Sequence, residues 1–564
     1  MTRWLPLLVA LIGAALLAIL GTTPPAPRPA TAGPAMFSAA RAMGDVRAIA
    51  AAPHATGSPE NARVRQYLAQ RLTQLGLQVE TISSPLSDKG KVRLDAWRGR
   101  ADAAPPVVSL FATLPGKDRA AAAVLLMAHH DTVWGSPGAA DDTAGVAAIL
   151  EILRSVQAGG ERKRDLLVLI TDGEELGLEG ARAFFGSDPR AKRVGTMINL
   201  ETRGGGGRAA MFETGRDNGN AMRLFADSVQ RPSATSLSVF IYRLLPNSTD
   251  LTPALKAGYF GYNFAFIGRP ELYHSPLATP DRLDQGALQD LGGQALDLTR
   301  ALLAATQLPP PAPDRVFFDV FGLFMVSYAP WFGWVLLAVG VLGFGWGARR
   351  FEGRPVHHDA VAMLALLVGA GLMLWLVNLV SGADGQTNYY DRLAAIPLLQ
   401  VQALLVGLGV VTLIHALRSA TAWLAGFVLP ILLLAAVAQT LAPTAAYPLL
   451  VPLALGGLAL IVQGLVPRLG LVPAVVAAAL GIGYMLALAF FIMQGVGPGM
   501  PFVVAIPLGV AAVLAWPLVP VFSRRVGLAL GAMLLVGAVG VALVVRTAPL
   551  ANTVAVYSRA GAPH

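Results

Sequence analysis

Val124-Leu125-Leu126-Met127-Ala128-His129-His130-Asp131 passes from apolar side chains straight into two imidazoles and a carboxylate. An apolar run this short fits a strand buried on both faces, and its polar end puts His129 at the strand's carboxyl terminus. Residues 166–170 repeat the pattern and lead into Asp172-Gly173-Glu174-Glu175-Leu176-Gly177. Between the two, residues 143–156 have helical spacing, as do residues 61–75 with Gly76 as a stop. Residues 197–200 are a further strand candidate, followed by the glycine run 204–207. This alternation predicts an α/β domain, a mixed central sheet with helices on both faces. Such sheets hold ligands in the loops at the carboxyl ends of their strands, and those loops carry the polar clusters.

The composition is too apolar for an ordinary soluble chain: of 564 residues, 54% are hydrophobic and only 14% charged. Charges recur steadily up to about residue 315. Beyond that come apolar stretches of bilayer-crossing length, near 326–347, 360–381, 394–415, 421–441, 447–466, 472–494, 501–522 and 526–545. Residues 4–20, behind Arg3 and before a Pro/Ala-rich linker, read as an export signal retained as an anchor. A cleaved signal peptide is the alternative, since Ala30-Thr31-Ala32 suits a cleavage site. The expected organisation is an anchor and linker over 1–35, an extracytoplasmic domain over 36–315, and an all-α polytopic membrane domain over 316–564.

Forty-three basic against 34 acidic residues give a formal +9, but the downstream arginines separate apolar segments. They read as topology signals, and no nucleic-acid partner is expected. With the first domain outside, Arg349, Arg350, Arg354, Arg418, Arg468, Arg524 and Arg525 fall on the inner side, while Arg392 and Arg546 are exceptions. The carboxyl terminus is then outside. The predominance of arginine over lysine, with so much alanine and glycine, suits a GC-rich bacterial genome. The outer side would then be the periplasm of an inner-membrane protein, or a vacuolar or endoplasmic-reticulum lumen in a eukaryote.

Cysteine is absent, so a transition metal would need imidazole and carboxylate ligands. His129 suits a ligand, with Asp131 placed to orient its ring and His130 turned the other way along the strand. Asp141, after Pro137-Gly138-Ala139-Ala140, suits a carboxylate bridging two cations, with Asp142 as a helix cap or a support. In the Glu174-Glu175 pair, Glu175 suits a ligand and Glu174 a general base. Glu201, after Ile198-Asn199-Leu200, and His274, within Leu272-Tyr273-His274-Ser275-Pro276, complete the set. Taken singly, each is explicable as a cap, a turn or a core residue.

Together these motifs, over about residues 40–305, resemble the family-28 metallopeptidases, the di-zinc aminopeptidases and their carboxypeptidase relatives. The resemblance implies two zinc ions, one held by Asp141, Glu175 and His274, the other by Asp141, Glu201 and His129, with a water between them. It implies Glu174 as the base that activates that bridging water, and Tyr273 as a candidate to polarise the substrate carbonyl. The stretch Asn247-Ser248-Thr249-Asp250-Leu251-Thr252-Pro253 is similar to a family segment near the pocket, though a loop with Asp250 as helix cap explains it equally well. With the membrane half added, the chain resembles the branch of the vacuolar membrane protease and the endoplasmic-reticulum metallopeptidase. It departs from the fungal members in ending shortly after the last span and in lacking room for a large insertion before His129.

The function expected is a membrane-bound zinc aminopeptidase acting on peptides outside the cytoplasm, with the bilayer as its other partner. Homodimerisation through the membrane half is compatible with it. A single-zinc glutaminyl cyclase on the same fold, or a transporter with an accessory ectodomain, are the alternatives. Transport sites place ionisable groups within the membrane, and residues 421–467 carry no charge.

Overall fold

The computed structural model describes residues 2–348, 356–382, 393–417, 424–496, 499–520 and 523–547. The expected inner-side Arg349, Arg350, Arg354 and Arg418, and the exception Arg392, lie outside the described residues. The described residues divide into two units: 23–327, and 2–22 together with those from 328 to 547.

In the first unit, seven strands form one sheet: β1 (Gln78–Ser84), β2 (Val107–Leu114), β3 (Ala123–His129), β4 (Leu166–Thr171), β5 (Val194–Thr202), β6 (Gly206–Thr214) and β7 (Gly261–Gly268). Their order is β1-β2-β4-β3-β5-β7-β6. The inner four, β4, β3, β5 and β7, are parallel, and β1, β2 and β6 add antiparallel pairs at the margins. The expected strands 124–127, 166–170 and 197–200 fall within β3, β4 and β5. Every residue of β3 and β4 is buried, as unbroken apolar runs require.

Alternation along the strands divides the core into two layers. Val124, Leu126, Val168, Ile170, Leu200 and Phe264 pack with helices Thr143–Gln157 and Gln285–Ala304. On the opposite face Leu125, Met127, Leu167 and Leu169 meet Phe184 and Phe185 of helix Glu179–Ser187 and Leu251 of helix Leu251–Lys256. Helices therefore cover both faces. A buried pair ties β6 to the last helix, Arg208 Nε donating to Asp290 Oδ2 at 2.6 Å.

The unit extends past residue 315. Strands β8 (Val316–Val320) and β9 (Phe324–Tyr328) form a hairpin held to residues 234–236, Phe317 N donating to Ser236 Oγ and Asp319 N to the Ala234 carbonyl. The division falls after Ser327 because these bonds commit the hairpin to the first unit.

The second unit is helical. Seven of its described helices are long and apolar enough to cross a membrane: Leu5–Thr22, His357–Ser381, Ile396–Leu417, Tyr447–Leu465, Val472–Gly495, Pro501–Leu518 and Arg524–Thr547. Two of the nine expected spans, Phe332–Gly347 and Gly426–Leu441, are shorter apolar helices. The first helix packs against Val472–Gly495 so closely that a Cβ on Gly483 would sit 3.0 Å from the Ala14 carbonyl oxygen. Small residues give such backbone approach inside a bilayer, where no hydrophobic force drives helices together. Gln439 donates to the Pro330 carbonyl at 2.8 Å and Gln400 to that of Phe490 at 3.4 Å, giving each NH₂ group an acceptor in apolar surroundings.

Candidate metal centre

The parallel arrangement of β4, β3, β5 and β7 brings four carboxyl-terminal strand ends to one place. His129 is the last residue of β3, Glu174 and Glu175 follow β4, Glu201 lies in the last turn of side chains on β5, and His274 follows β7. Asp141 arrives on the connection from β3 to helix Thr143–Gln157. Gly138 has φ +61° there, and a Cβ would lie 2.3 Å from Thr132 Cγ2 and 2.4 Å from the Asp141 carbonyl oxygen. Only glycine fits this turn. Ser136 Oγ donates to the Ser275 carbonyl at 2.9 Å and Ala139 N to that of Ala278, fastening this loop to the one bearing His274.

The five expected ligands converge. His129 Nε2 is 3.2 Å from Asp141 Oδ1 and 3.8 Å from Glu201 Oε2, while His274 Nε2 is 3.0 Å from both Asp141 Oδ2 and Glu175 Oε1. They form two groups, His129–Asp141–Glu201 and Asp141–Glu175–His274, each with its ligand atoms within 4.8 Å of one another. Asp141 offers one oxygen to each. A third group of the same compactness, His129–Glu174–Glu175, puts the half-buried Glu174 carboxylate beside both.

Asp131 supports the site differently from the expectation. The nearer contact to His129 Nδ1 is its backbone carbonyl, at 2.9 Å, with the carboxylate at 3.6 Å. The carboxylate instead accepts from the Glu174 N–H at 3.1 Å and the Glu175 N–H at 3.2 Å, fixing the loop that carries both glutamates. Asp131→Ala is therefore expected to destabilise the protein by about 1–3 kcal/mol through amides left without an acceptor, measured by thermal denaturation. His130 turns away, Nε2 lying 3.2 Å from the Val108 carbonyl. Asp142 is the helix cap, accepting from Gly145 N at 3.1 Å. The ring of Tyr273 stacks on that of His274, centroids 3.6 Å apart.

The site is crowded with buried carboxylates whose ion pairs, among the described residues, are with histidines only. Burial pushes Glu201 up to about 8 and Asp250 up to about 6, and raises Glu174 and Asp142 well above the carboxylate range. Burial would also raise Asp141, but hydrogen bonds with His129 and His274 hold it below that range. For His274 burial disfavours the charge, yet Glu175 and Asp141 outweigh it and bring the imidazole to about 9. Carboxylates and imidazoles gathered without a lysine or arginine partner are short of positive charge. The donor set is one that divalent cations of the zinc type use, so the residues fit a metal.

Residues 109–299, which contain all five expected ligands, match peptidase family M28. The chain carries an M28 peptidase domain. Endoplasmic reticulum metallopeptidase 1 of Mus musculus is 29% identical over 344 residues, 58% of this chain and 38% of that relative. The vacuolar membrane protease of Candida dubliniensis is 33% identical over 239 residues, 41% of this chain and 24% of the relative. The chain thus matches well under half the length of either. Among solved structures, the aminopeptidase from Aneurinibacillus sp. strain AM-1 covers 50% of this chain and 97% of its own, at 17% identity and a TM-score of 0.38. The resemblance read from the motifs is borne out. The M28 match supports a peptidase domain over residues 109–299, and seven of the described helices are long and apolar enough to cross a membrane.

Around the M28 site, Asp250 departs from the helix-cap reading of its segment, and Asn199, Asn263 and Glu213 are residues that the motifs did not bring forward. Asp250 precedes helix Leu251–Lys256, but its side chain makes no cap hydrogen bond; it is buried and accepts from the Thr171 hydroxyl. Asn199 and Asn263, both buried, bridge β5 and β7 beside Glu201. Asn263 could have been noticed as an amide inside Gly261-Tyr262-Asn263-Phe264, an otherwise apolar strand. Glu213 had no signal short of the register of β6.

Proposed function

We propose that the M28 domain is a di-zinc exopeptidase, an aminopeptidase, hydrolysing peptides outside the cytoplasm. What supports this above all is the sharing of Asp141 between two groups of three ligand types, with the Glu174 carboxylate beside them. In this reading Asp141, Glu175 and His274 hold one zinc, and Asp141, Glu201 and His129 the other. Bound there, the ions would supply Lewis acidity for a peptide carbonyl and for a water molecule.

The chain's own residues do the rest. Glu174, kept basic enough to take a proton by its desolvated position, accepts one from the attacking water. It returns that proton to the amine nitrogen as the carbon–nitrogen bond breaks. The Asp131 carboxylate holds Glu174 and Glu175 in place through their N–H groups. Tyr273, whose hydroxyl burial keeps protonated and whose ring stacks on that of His274, is the candidate donor to the substrate carbonyl oxygen. Location outside the cytoplasm, a periplasm if the protein is bacterial, is supported by Arg468, Arg524 and Arg525 at the helix ends expected to face inward.

The full chain in detergent, given a peptide library with mass-spectrometric readout, should release single residues from free amino termini. Acetylated peptides should be spared, and turnover should stop on chelation and return with zinc. Internal or carboxyl-terminal cleavage would overturn the aminopeptidase reading. One zinc per chain with cyclisation of amino-terminal glutamine would replace it by the cyclase.

A further inference from the structure

Glu201 Oε2 faces His129, and its other oxygen, Oε1, is occupied by a proton donor: Asn199 Nδ2 at 3.2 Å. That donor is the last member of a chain of buried polar groups crossing three strands. Asn199 Nδ2 also donates to Asn263 Oδ1 at 3.0 Å, and Asn263 Nδ2 donates to Glu213 Oε2 at 2.8 Å and to Thr249 Oγ1 at 2.8 Å. Both hydrogens of each amide are thereby used.

The direction of these bonds is set at the far end. A carboxylate oxygen accepts, so Glu213 requires Asn263 to present its NH₂ group. Asn263 Oδ1 then faces Asn199, which must present its own NH₂ group to both Asn263 and Glu201. Reversing Asn263 would set its carbonyl oxygen against Glu213 and its NH₂ against that of Asn199. If Asn199 reversed in turn, its carbonyl oxygen would oppose the Glu201 carboxylate. Buried groups left in such opposition are costly, so the polarity at Glu201 follows from the acceptor at Glu213.

The placement of Glu213 depends on one irregularity. Along β6, Met211 pairs with Phe264 and Glu213 with Asn263, leaving Phe212 as an extra residue. Met211 and Phe264 belong to the apolar core. By strict alternation Glu213 would share the face of Met211 and enter that core. The bulge turns it to the face of Asn263, while Phe212 packs edge-on against Tyr242 with centroids 4.8 Å apart. Bulges beside functional sites re-aim side chains in this way.

We propose that Glu213 is a positioning residue for the metal centre: through Asn263 and Asn199 it engages Glu201 Oε1 and leaves Oε2 turned toward the ion beside His129. This rests on the di-zinc reading. Outer partners of metal ligands contribute about 10–100-fold in metal affinity.

The test is zinc content of the full chain in detergent, equilibrated against graded chelator, for the wild type and for Glu213→Ala, Asn263→Leu and Glu213→Gln. Glu213→Ala and Asn263→Leu should release one of two zinc ions at about 10–100-fold lower chelator strength, with the second ion unmoved. Glu213→Gln, which still offers an acceptor oxygen, should restore most of the retention and show that a folding defect is not the cause. Unchanged release in both disruptive variants, or equal loss of both ions with a lower melting temperature of the metal-free protein, would overturn the inference alone. A wild type that binds no zinc would instead remove the di-zinc reading, and this role of Glu213 with it.

Discussion

Glu174→Gln should lower kcat for peptide hydrolysis by about 10²–10⁴-fold, the usual contribution of a positioned general base, while zinc content and melting temperature stay near wild type. The reason is local. The Glu174 carboxylate lies with His129 and Glu175 in a group whose ligand atoms are within 4.8 Å of one another, but the five expected ligands form their two groups without it. Its backbone N–H, which Asp131 holds, is untouched by the substitution. An amide of the same shape keeps the loop and loses only the capacity to take up a proton. Steady-state kinetics beside metal analysis separates the outcomes. If zinc is lost with activity, Glu174 is a ligand; if turnover is unchanged, the base lies elsewhere.

Asp141→Asn should do something different, removing both metals at once. Asp141 gives Oδ1 to the side of His129 and Oδ2 to the side of His274, so no other ligand belongs to both groups. Bound ions at a thousandfold excess over Kd contribute about 4 kcal/mol each to stability. Their loss should lower the melting temperature by something on the order of 10 °C. The same drop should appear when wild-type protein is treated with chelator, and chelator should then have no further effect on the variant. A variant that keeps one zinc, or that still melts lower on chelation, would show that the two groups do not share this residue.

The five candidate ligands could be picked out in the sequence because His129, Glu175 and Glu201 end or follow apolar runs, while Asp141 and His274 lie in loops whose motifs resemble the family's. His129, Asp141, Glu174 and Glu175 needed no knowledge of pairing. What lay beyond reach depends on partners far apart in the chain. Asn199 and Asn263 are 64 residues apart, and Asn263 and Glu213 50, so their bonds exist only once β5, β7 and β6 are in register. The part played by Asp131 was hidden for a similar reason, since its carboxylate reaches amides 43 and 44 residues away. The end of the first unit was placed too early because the hairpin at 316–328 is apolar enough to read as the approach to a membrane helix. Its bonds to residues 234–236 are not visible locally.

The convergence of four parallel strand ends also fixes an order of events. Neighbouring parallel strands are joined by helices, so the ligands meet only when β4, β3, β5 and β7 have all found their places. An unfolded chain offers no local chelate of comparable denticity. Metal uptake at this site would follow assembly of the sheet, so that retention of the ions would report on whether those four strands had come together.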